Sequence, residues 1–300
     1  MIRIRPETLK DYPAIARVNA RAFNPHVSVP LIVDLHRHRS RFDPDLSLVA
    51  EVDGQIVGHV LFSPQTIRLL DQNVEVVNLS PLAVAPEYQR TGVGRTLVTE
   101  GHRIAKAKGY PLSFLIGIPA YYPRFGYQQR AFGASSLKVS TQEFQERPLE
   151  TRLPTEADLP ALRDLWLREE GGVDFAIYPG DALLDWISPN PAIKSLVYTV
   201  GGVIFGYARV EAAKAKAHMF LARDDMAARA MARQIGAEVE LPLHINSASA
   251  QALGESVYSL WDAAMVCTFA PSPFDEYFAQ VQAGKRLAGR PLWGVEFELE

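Results

Sequence analysis

The sequence has almost no cysteine, no long apolar run and little net charge. Cys267 is its only cysteine among 300 residues, which excludes an intrachain disulfide and is typical of a reducing compartment. No stretch of about twenty apolar residues exists to span a membrane. The N-terminal residues Met1–Arg5 also lack the apolar segment of a signal peptide. We therefore expect a cytoplasmic protein without a membrane partner.

The charge balance excludes a further class of function. With 31 basic and 34 acidic residues, the formal net charge is −3. A general nucleic-acid binder is usually basic, so no nucleic-acid partner is expected. No histidine or cysteine spacing with a third ligand is evident, so no metal is expected either. Cys267 falls in an apolar strand pattern, which favours a buried filler over a nucleophile.

The chain repeats itself once. Residues 47–58 align with residues 195–206 and share a serine, a leucine, two valines, two glycines and an isoleucine. Asp53-Gly54 and Gly201-Gly202 predict tight hairpin turns. A second group of residues also aligns: Arg5, Asp11, Pro13 and Ala14 with Arg152, Asp158, Pro160 and Ala161. In each copy the aspartate precedes a helical pattern that has proline in its first turn, which is a helix start signal. The length suits two domains of about 150 residues, so we expect an N-terminal copy (1–147) and a C-terminal copy (148–300).

Periodicity predicts the elements of each copy. In the N-terminal copy we expect helices at 11–22, 30–38, 93–108 and 120–125, and strands at 2–5, 47–52, 55–63, 66–70, 74–84, 112–116 and 136–140. In the C-terminal copy we expect helices at 156–169, 181–188 and 225–235, and strands at 196–200, 203–210, 239–245 and 265–269. Early hairpins followed by a strand–helix–strand unit predict, for each copy, a mixed and mostly antiparallel α/β sheet flanked by helices.

A glycine-bearing loop, Gln89–Gly94, joins the strand at 74–84 to the helix at 93–108. The first turn of a helix leaves backbone N–H groups unpaired, and its dipole favours an anion. Gly92 and Gly94 let a phosphate approach without a Cβ in the way. Arg90 and Arg95 bracket the loop, so it is a candidate phosphate site.

The loop matches neither of two common phosphate motifs. A P-loop would need Lys-Ser/Thr after Gly94, and a dinucleotide fingerprint would need a third glycine where Leu97 stands. The run Leu79–Gly94, with Gln/Arg-x-x-Gly-x-Gly, instead resembles the acetyl-CoA loop of the GNAT N-acetyltransferases. Ala120–Tyr127, containing Tyr-x-x-Phe-Gly-Tyr, resembles a second segment of the same family, at the distance its fold requires.

The resemblance implies acetyl-CoA as co-substrate and direct transfer of its acetyl group to an amine in a ternary complex. Tyr122 stands where the family's tyrosine protonates the departing thiolate; Tyr121 is the fallback, and Tyr127 is expected to pack in the core. The backbone of three strand residues would pair with the pantetheine arm and supply an oxyanion donor, and the loop would hold the pyrophosphate. These cofactor-binding residues are Leu82, Ala83, Val84, Gln89, Arg90, Thr91, Gly92, Val93, Gly94, Arg95 and Thr96.

The residues leave the general base open. Asn78 and Ser80, on the central strand, are the catalytic candidates that would relay a proton through water, whereas Glu75 is nearer a turn and expected to be solvated. The histidines at 26, 36, 38 and 59 have a suitable pKa, but structural or surface roles are favoured for each. In some tandem members of this family the C-terminus enters the acceptor site, which makes the carboxylate of Glu300 a further candidate.

The C-terminal copy lacks the loop. Its corresponding junction, 218–227, has no glycine, and Asp224 and Asp225 would repel a pyrophosphate; Asp224 is better interpreted as a helix N-cap. This copy is expected not to bind CoA but to complete an acceptor pocket, support an oligomer or stabilise the first copy. Its tryptophans (166, 186, 261 and 293) are expected in the core or around an acceptor pocket, and its acidic residues 169, 170, 174 and 181 are candidates for lining one.

The acceptor and the assembly stay open at this point. Small amines, amino acids, polyamines, aminoglycoside-like antibiotics and peptide N-termini all fit the chemistry. The basic stretch 35–39 is either a solvated helix end or a contact for the CoA 3′-phosphate or an anionic acceptor. Because the homodimer is the commonest assembly among soluble oligomers, a homodimer is expected by default. The rival function is a non-catalytic, acyl-CoA-binding regulatory module, because fold does not fix function.

Overall fold

Two sheets with flanking helices make up the structure, a computed structural model that describes residues 2–24 and 27–299. The strands are β1 (Arg3–Pro6), β2 (Ser47–Val52), β3 (Gln55–Leu69), β4 (Gln72–Val84), β5 (Leu112–Ile116), β6 (Gly133–Ser140), β7 (Glu150–Arg152), β8 (Ile193–Val200), β9 (Val203–Glu211), β10 (Lys216–Ala222), β11 (Glu238–Leu241), β12 (Val257–Leu260) and β13 (Ala264–Thr268). The helices are α1 (Tyr12–Ala22), α2 (Ser28–Arg37), α3 (Val93–Ala107), α4 (Leu159–Glu170), α5 (Asp225–Ile235), α6 (Ala250–Leu253) and α7 (Pro273–Gln282).

Each sheet is mixed and contains one parallel pair. The first has the order β1-β2-β3-β4-β5-β13, and the second has the order β12-β6-β11-β10-β9-β8-β7. In the first sheet only β4 and β5 run parallel, and in the second only β10 and β11 do. Both parallel pairs enclose a long helix in sequence, α3 and α5. This confirms the predicted fold class of two mixed, mostly antiparallel sheets flanked by helices.

Two strands lie in the sheet opposite to the one expected. β6, expected to complete the first sheet, pairs with β11, and β13, expected in the second sheet, pairs with β5. The expected sheet membership of these strands is therefore wrong. Because β5 and β11 are equivalent strands of the two copies, each offers the same free edge, and an exchange satisfies both. The copies are thus interlocked, and their sequence boundary near Arg147-Pro148 stays a prediction.

Some element bounds also differ from expectation. β3 is one continuous strand rather than two, and Pro64 lies within it. The helices expected at 181–188 and 120–125 are reduced to 3-10 turns at Leu183–Asp185 and Tyr122–Phe125. The elements β7, β10, β12, α6 and α7 were not predicted. Within the described residues, no helix combines the length and apolarity that crossing a membrane requires.

Each repeated hairpin has a glycine, Gly58 or Gly206, at the end of the aligned segment, and a helix packs closely against it. A Cβ on Gly58 would lie 2.8 Å from Val93 Cγ1 of α3. On Gly206 it would lie 2.2 Å from Met231 Sδ of α5. Both distances are below van der Waals contact, so each glycine allows a helix to pack closely against its sheet. Position 58 therefore fixes how close α3, the helix after the glycine-bearing loop, lies to the sheet.

The second repeated feature is an arginine–aspartate pair that starts a helix. Arg5 donates to both carboxylate oxygens of Asp11 at 2.7 and 2.9 Å, and Arg152 does the same to Asp158 at 2.7 Å each. In the second pair the same carboxylate also accepts from Thr155 N and Oγ1, at 2.7 and 2.8 Å. The aligned sequence positions thus have the same structural role in both copies.

Asp158→Asn is expected to lower the free energy of unfolding at pH 7 by about 1 kcal/mol, the typical contribution of a helix cap. The hydrogen bonds from Arg152 lower the pKa of Asp158 to about 2, below the value of about 3.9 for an unfolded chain. A lowered folded-state pKa stabilises above the unfolded pKa, and the contribution is lost as pH falls from about 4 to about 2. Urea titrations at pH 7 and near pH 2.5 would measure both effects.

Asp164→Asn provides the control, since Asp164 is exposed on the same helix. It should change the free energy of unfolding little at either pH. An Asp158→Asn effect that stays the same at both pH values would contradict an ionic origin of the stabilisation.

Candidate functional site

The central parallel pair opens halfway along its length. β4 and β5 pair only at Val77–Ser113 and Asn78–Phe114, although β4 continues to Val84. Beyond Asn78 the β5-facing edge of β4 therefore has no strand beside it. A free edge of this kind can hydrogen-bond an extended ligand as an added strand would. Leu82, Ala83 and Val84, the predicted strand contacts, all lie on this free segment.

A β-bulge lies at the start of the opening. Phe62 pairs with Leu79 and Val60 pairs with Leu82, so Ser80 and Pro81 together oppose one residue of β3. A bulge bends its strand and re-aims its side chains, and it accommodates proline, which cannot donate to the ladder. Asn78, just before the bulge, is buried, and its Oδ1 has no hydrogen-bond partner among the described residues.

The glycine-bearing loop presents unpaired backbone donors. Within the described residues, no acceptor receives the N–H groups of residues 90 to 95, and the first helical hydrogen bond of α3 runs from Thr96 N to Gly92 O. Arg90 and Gly92 have positive φ angles of 62° and 98°. Consecutive donors in such a turn form a concave anion site at the positive end of the helix dipole. The exposed Arg90 and Arg95 add charge beside it.

Three predicted loop residues brace this turn through their side chains. Gln89 Nε2 donates to Val84 O at 3.2 Å, and Thr91 Oγ1 donates to Tyr88 O at 2.6 Å. Thr96 Oγ1 donates to Gly92 O at 3.1 Å. These side chains donate to backbone carbonyls of the turn and do not compete with a ligand for its N–H groups.

The two adjacent tyrosines have different surroundings. A Cβ on Gly94 would lie 2.8 Å from Tyr121 Oη, so Tyr121 lies over the start of α3, where Arg124 stacks on its ring. Tyr122 is buried and packs against Gly117. Burial raises the pKa of the Tyr122 phenol well above its ordinary value, so the hydroxyl stays protonated at neutral pH. Tyr127 is a core residue, as predicted, with its hydroxyl 2.7 Å from Ser113 Oγ.

A cavity of about 740 Å³ collects the catalytic candidates. Asn78, Ser80 and Tyr122 all line it, together with Leu82. Its opposite wall comes from β9 and β10 of the C-terminal copy and from the segment 290–298. The structure therefore brings Tyr122 to the same space as Asn78 and Ser80, and it places the C-terminal copy around that space.

A family model described as an acetyltransferase (GNAT) domain matches residues 3–130. The uncharacterized N-acetyltransferase YhbS of Escherichia coli is 36% identical over 129 residues, which cover 43% of this chain and 74% of YhbS. The chain belongs to the GNAT N-acetyltransferase family. The uncharacterized N-acetyltransferase YjhQ of E. coli is also 36% identical, over 39% of this chain and 65% of YjhQ.

Solved GNAT structures extend the likeness of the fold across both copies. A GCN5-related N-acetyltransferase from Kribbella flavida has a TM-score of 0.71 at 15% identity and covers 89% of this chain and 70% of its own. The structure of YhbS in complex with CoA covers 43% of this chain and 70% of its own, at 34% identity and a TM-score of 0.40. The sequence relatives thus match only part of the chain, whereas the fold match spans most of it.

Of the histidine candidates that the structure describes, His36, His38 and His59, none lines this cavity. His59 is fully buried between Asn19 and Ser47, and burial lowers its pKa to about 3. His36 is buried, which lowers its pKa, and His38 is exposed. His26 and Glu300 lie outside the described residues. Sequence reasoning missed His218, whose Nε2 lies 3.3 Å from Glu211 Oε2 in the cavity wall.

One side chain spans the junction of the C-terminal copy that corresponds to the glycine-bearing loop. Arg168 donates to Ala222 O at 3.0 Å and lies 3.4 Å from Asp225 Oδ1. Asp224 accepts from Ala227 N at 2.8 Å and so caps α5, as predicted. Ala227 N at the start of α5 is therefore already occupied, and the junction has no glycine, unlike the loop of the first copy.

The acidic residues expected around an acceptor site have other roles. Glu169 accepts from Ser249 and Glu170 from Arg290, whereas Asp174 pairs with Arg286. None of these three lines the cavity, and neither does Asp181. Of the tryptophans, Trp166 and Trp186 are core residues, and Trp261 and Trp293 line the cavity. The sequence prediction of an acceptor pocket walled by tryptophan thus applies to two of the four.

Proposed function

We propose that this GNAT protein transfers the acetyl group of acetyl-CoA to an amine, by direct attack in a ternary complex. The observation that carries the proposal is that two free features occur together: the unpaired N–H groups of residues 90 to 95 and the free edge of β4 beyond Asn78. The first suits a pyrophosphate and the second suits the amide-bearing pantetheine arm. Both lie on one strand–helix unit, and Leu82 of the free edge lines the cavity.

The proposed contacts follow from this arrangement. The loop residues 89 to 96 hold the pyrophosphate, and the backbone of Leu82, Ala83 and Val84 pairs with pantetheine. An N–H of this strand segment stabilises the tetrahedral oxyanion, since a fixed donor there needs no reorganisation during attack. Tyr122, which lines the cavity, donates its proton to the leaving thiolate.

The amine must lose a proton before or during attack. Asn78 and Ser80 line the cavity and are proposed to hold a water relay, for which the unpaired Asn78 Oδ1 supplies an acceptor. The Glu211–His218 pair on the opposite wall is a second candidate for accepting that proton. We assign CoA binding and chemistry to the N-terminal copy (1–147) and the opposite cavity wall to the C-terminal copy (148–300).

Gly94→Val is expected to weaken acetyl-CoA binding at least about tenfold, since a side chain there fills the space between the loop and Tyr121. Binding would be measured by calorimetry, and turnover by CoA-thiol release over an amine panel. Gly236→Ala is the control, because a Cβ there meets its nearest atoms at an ordinary 3.6 Å.

Each outcome of this experiment is decisive for one part of the proposal. Thiol release with an amine, lost in Gly94→Val, supports the transferase. Tight acetyl-CoA binding without release over the whole panel would favour the regulatory acyl-CoA-binding module. An unchanged affinity in Gly94→Val would contradict the proposed CoA loop.

A further inference from the structure

The C-terminal segment places a buried carboxylate in the cavity wall. Glu298 lines the cavity, and its side chain is only 6% exposed. Its backbone carbonyl accepts from Asn190 Nδ2 at 2.7 Å, which fixes the residue in position. Neither of its carboxylate oxygens has a hydrogen-bond partner among the described residues. Because buried carboxylates normally accept hydrogen bonds, these two free acceptors suit a ligand that donates.

The neighbouring Arg209 supplies a positive charge but no hydrogen bond. Arg209 Nε lies 3.1 Å from Glu298 Oε1, yet that N–H also has no hydrogen-bond partner in the described part of the chain, so it does not point at the carboxylate. Arg209 Nη2 donates instead to Trp293 O at 3.2 Å. Arg209 lines a smaller neighbouring cavity and not this one. The acceptors of Glu298 therefore stay free for a donor that enters from the main cavity.

The other charged or titratable side chains of the described lining each have an acidic or basic partner; they are Glu211, Lys214, Lys216, His218 and Arg290. Arg290 keeps two free donors, Nε and Nη1, but it also donates to Glu170 at 3.0 Å. Glu298, by contrast, receives no hydrogen bond at its carboxylate from any described residue. A cationic ligand therefore has more to satisfy at Glu298 than an anionic ligand has at Arg290.

The aromatic rings beside Glu298 also favour a cation. Trp293 and Phe297 are half-buried and line the cavity, with ring centroids 5.5 Å apart. The face of an aromatic ring attracts an ammonium ion and not an anion. Trp293 stacks on Phe114, which is the strand partner of Asn78, so these rings adjoin the opening between β4 and β5. A carboxylate and two aromatic rings on one segment suit an alkylammonium group.

We infer that Glu298, given the proposed transferase function, receives the ammonium group of the acceptor and thereby selects an aliphatic amine in its cationic form. A hydrogen bond from an ammonium to a carboxylate is among the strongest available to a ligand, because both partners are charged. Binding precedes the chemistry: the ammonium then gives one proton to the relay proposed above, and the neutral nitrogen attacks. Glu298 is thus a residue that determines specificity.

Three matched ligands test the inference. Benzylamine, benzyl alcohol and phenylacetate share a benzyl group and differ in charge, since at pH 7 the first is a cation, the second is neutral and the third is an anion. Each would be titrated by calorimetry into the full-length protein saturated with CoA. We expect benzylamine to bind at least about tenfold more tightly than the other two, the effect of one hydrogen bond between charged groups.

Two variants should change this selectivity in opposite directions. Glu298→Gln should lower benzylamine affinity at least about tenfold and leave benzyl alcohol affinity unchanged. In the CoA-thiol release assay it should raise the KM for benzylamine more than it changes kcat. Arg209→Met removes the neighbouring cation, so it should raise the benzylamine-to-benzyl alcohol affinity ratio at least about threefold.

Glu238→Gln is the matched control, because it removes the same charge from an exposed residue outside the cavity lining. It should leave the affinity ratio unchanged. Glu298→Gln leaves the buried Arg209 without its counter-ion, so urea titration would check that the variant folds. Should it fail to fold, Arg209→Met still decides, since a fall in its ratio contradicts the inference and a rise supports it.

The remaining outcomes separate this inference from the proposed function. A ratio that is the same in the wild type and in Glu298→Gln would overturn the inference, whatever the turnover. Phenylacetate binding more tightly than benzylamine would overturn it as well and would make Arg290 the recognition residue. Selective benzylamine binding that depends on Glu298, with no thiol release from any amine, would overturn the transferase proposal instead.

Discussion

Tyr122→Phe is expected to lower kcat at least about tenfold, within the usual range for removing one general acid, while leaving the Kd of acetyl-CoA unchanged. The substitution removes only the hydroxyl group, and the ring keeps its packing against Gly117 and Tyr127. Initial rates of CoA-thiol release and calorimetric titration of acetyl-CoA would measure the two quantities separately.

The expected effect depends on the state of the hydroxyl. Burial is the main cause of the raised pKa of Tyr122, so the group is a protonated donor throughout the neutral range. Turnover should therefore show no loss attributable to Tyr122 ionisation up to at least about pH 9. A thiolate leaving without that proton would carry its full charge into a partly desolvated cavity, which raises the barrier.

Two neighbouring tyrosines supply the controls. Tyr127→Phe removes a hydroxyl that bonds Ser113 and His102 in the core, so it should affect stability more than turnover. Tyr121→Phe removes a hydroxyl beside Gly94 and should affect acetyl-CoA affinity more than kcat. A kcat loss in Tyr121→Phe that exceeds the loss in Tyr122→Phe would move the acid role to Tyr121.

Features that depend on neighbouring residues could be predicted from the sequence. The strand at 74–84, the glycine-bearing loop and α3 follow one another within 34 residues, so their order alone indicates a strand, an anion site and a helix. Asn78 and Ser80 were found because they lie on the strand of that unit, whereas Tyr122 was found from the resemblance of its own segment to the GNAT family. The structure adds that all three line one cavity.

The rest of the site depends on contacts between distant segments. Glu211 lies on β9 and His218 on β10, and Trp293 lies more than 200 residues after Asn78. Alternation along β10 separates Lys216 and His218 from the buried Ala217 and Met219. It does not indicate which cavity the two polar side chains face. The exchange of β6 and β13 was equally inaccessible, because β5 and β11 present equivalent edges to either strand.

Arg39→Met is expected to lower the free energy of unfolding by about 3–5 kcal/mol, the range for breaking a buried ion pair from one side. Arg39 donates to Asp185 of the C-terminal copy and, at 2.7 Å, to Glu296 of the C-terminal segment. Burial by itself would raise the pKa of Glu296, but the neighbouring His36 and Arg39 outweigh it and hold that pKa below its usual value. Removing the guanidinium leaves two buried carboxylates without their cation.

The loss should also reach the cavity, because Glu296 anchors the 3-10 helix Val295–Leu299, which carries Phe297 into the cavity wall. We therefore expect urea titration to show the destabilisation, and the KM for the amine in the CoA-thiol release assay to rise more than the KM for acetyl-CoA. Arg21→Met is the matched control, since Arg21 pairs with Glu87 at the surface with about half of each side chain exposed, and should cost less than about 1 kcal/mol. Equal losses in the two variants would mean that the Arg39 cluster behaves as a solvated surface pair and does not hold the C-terminal segment against α2.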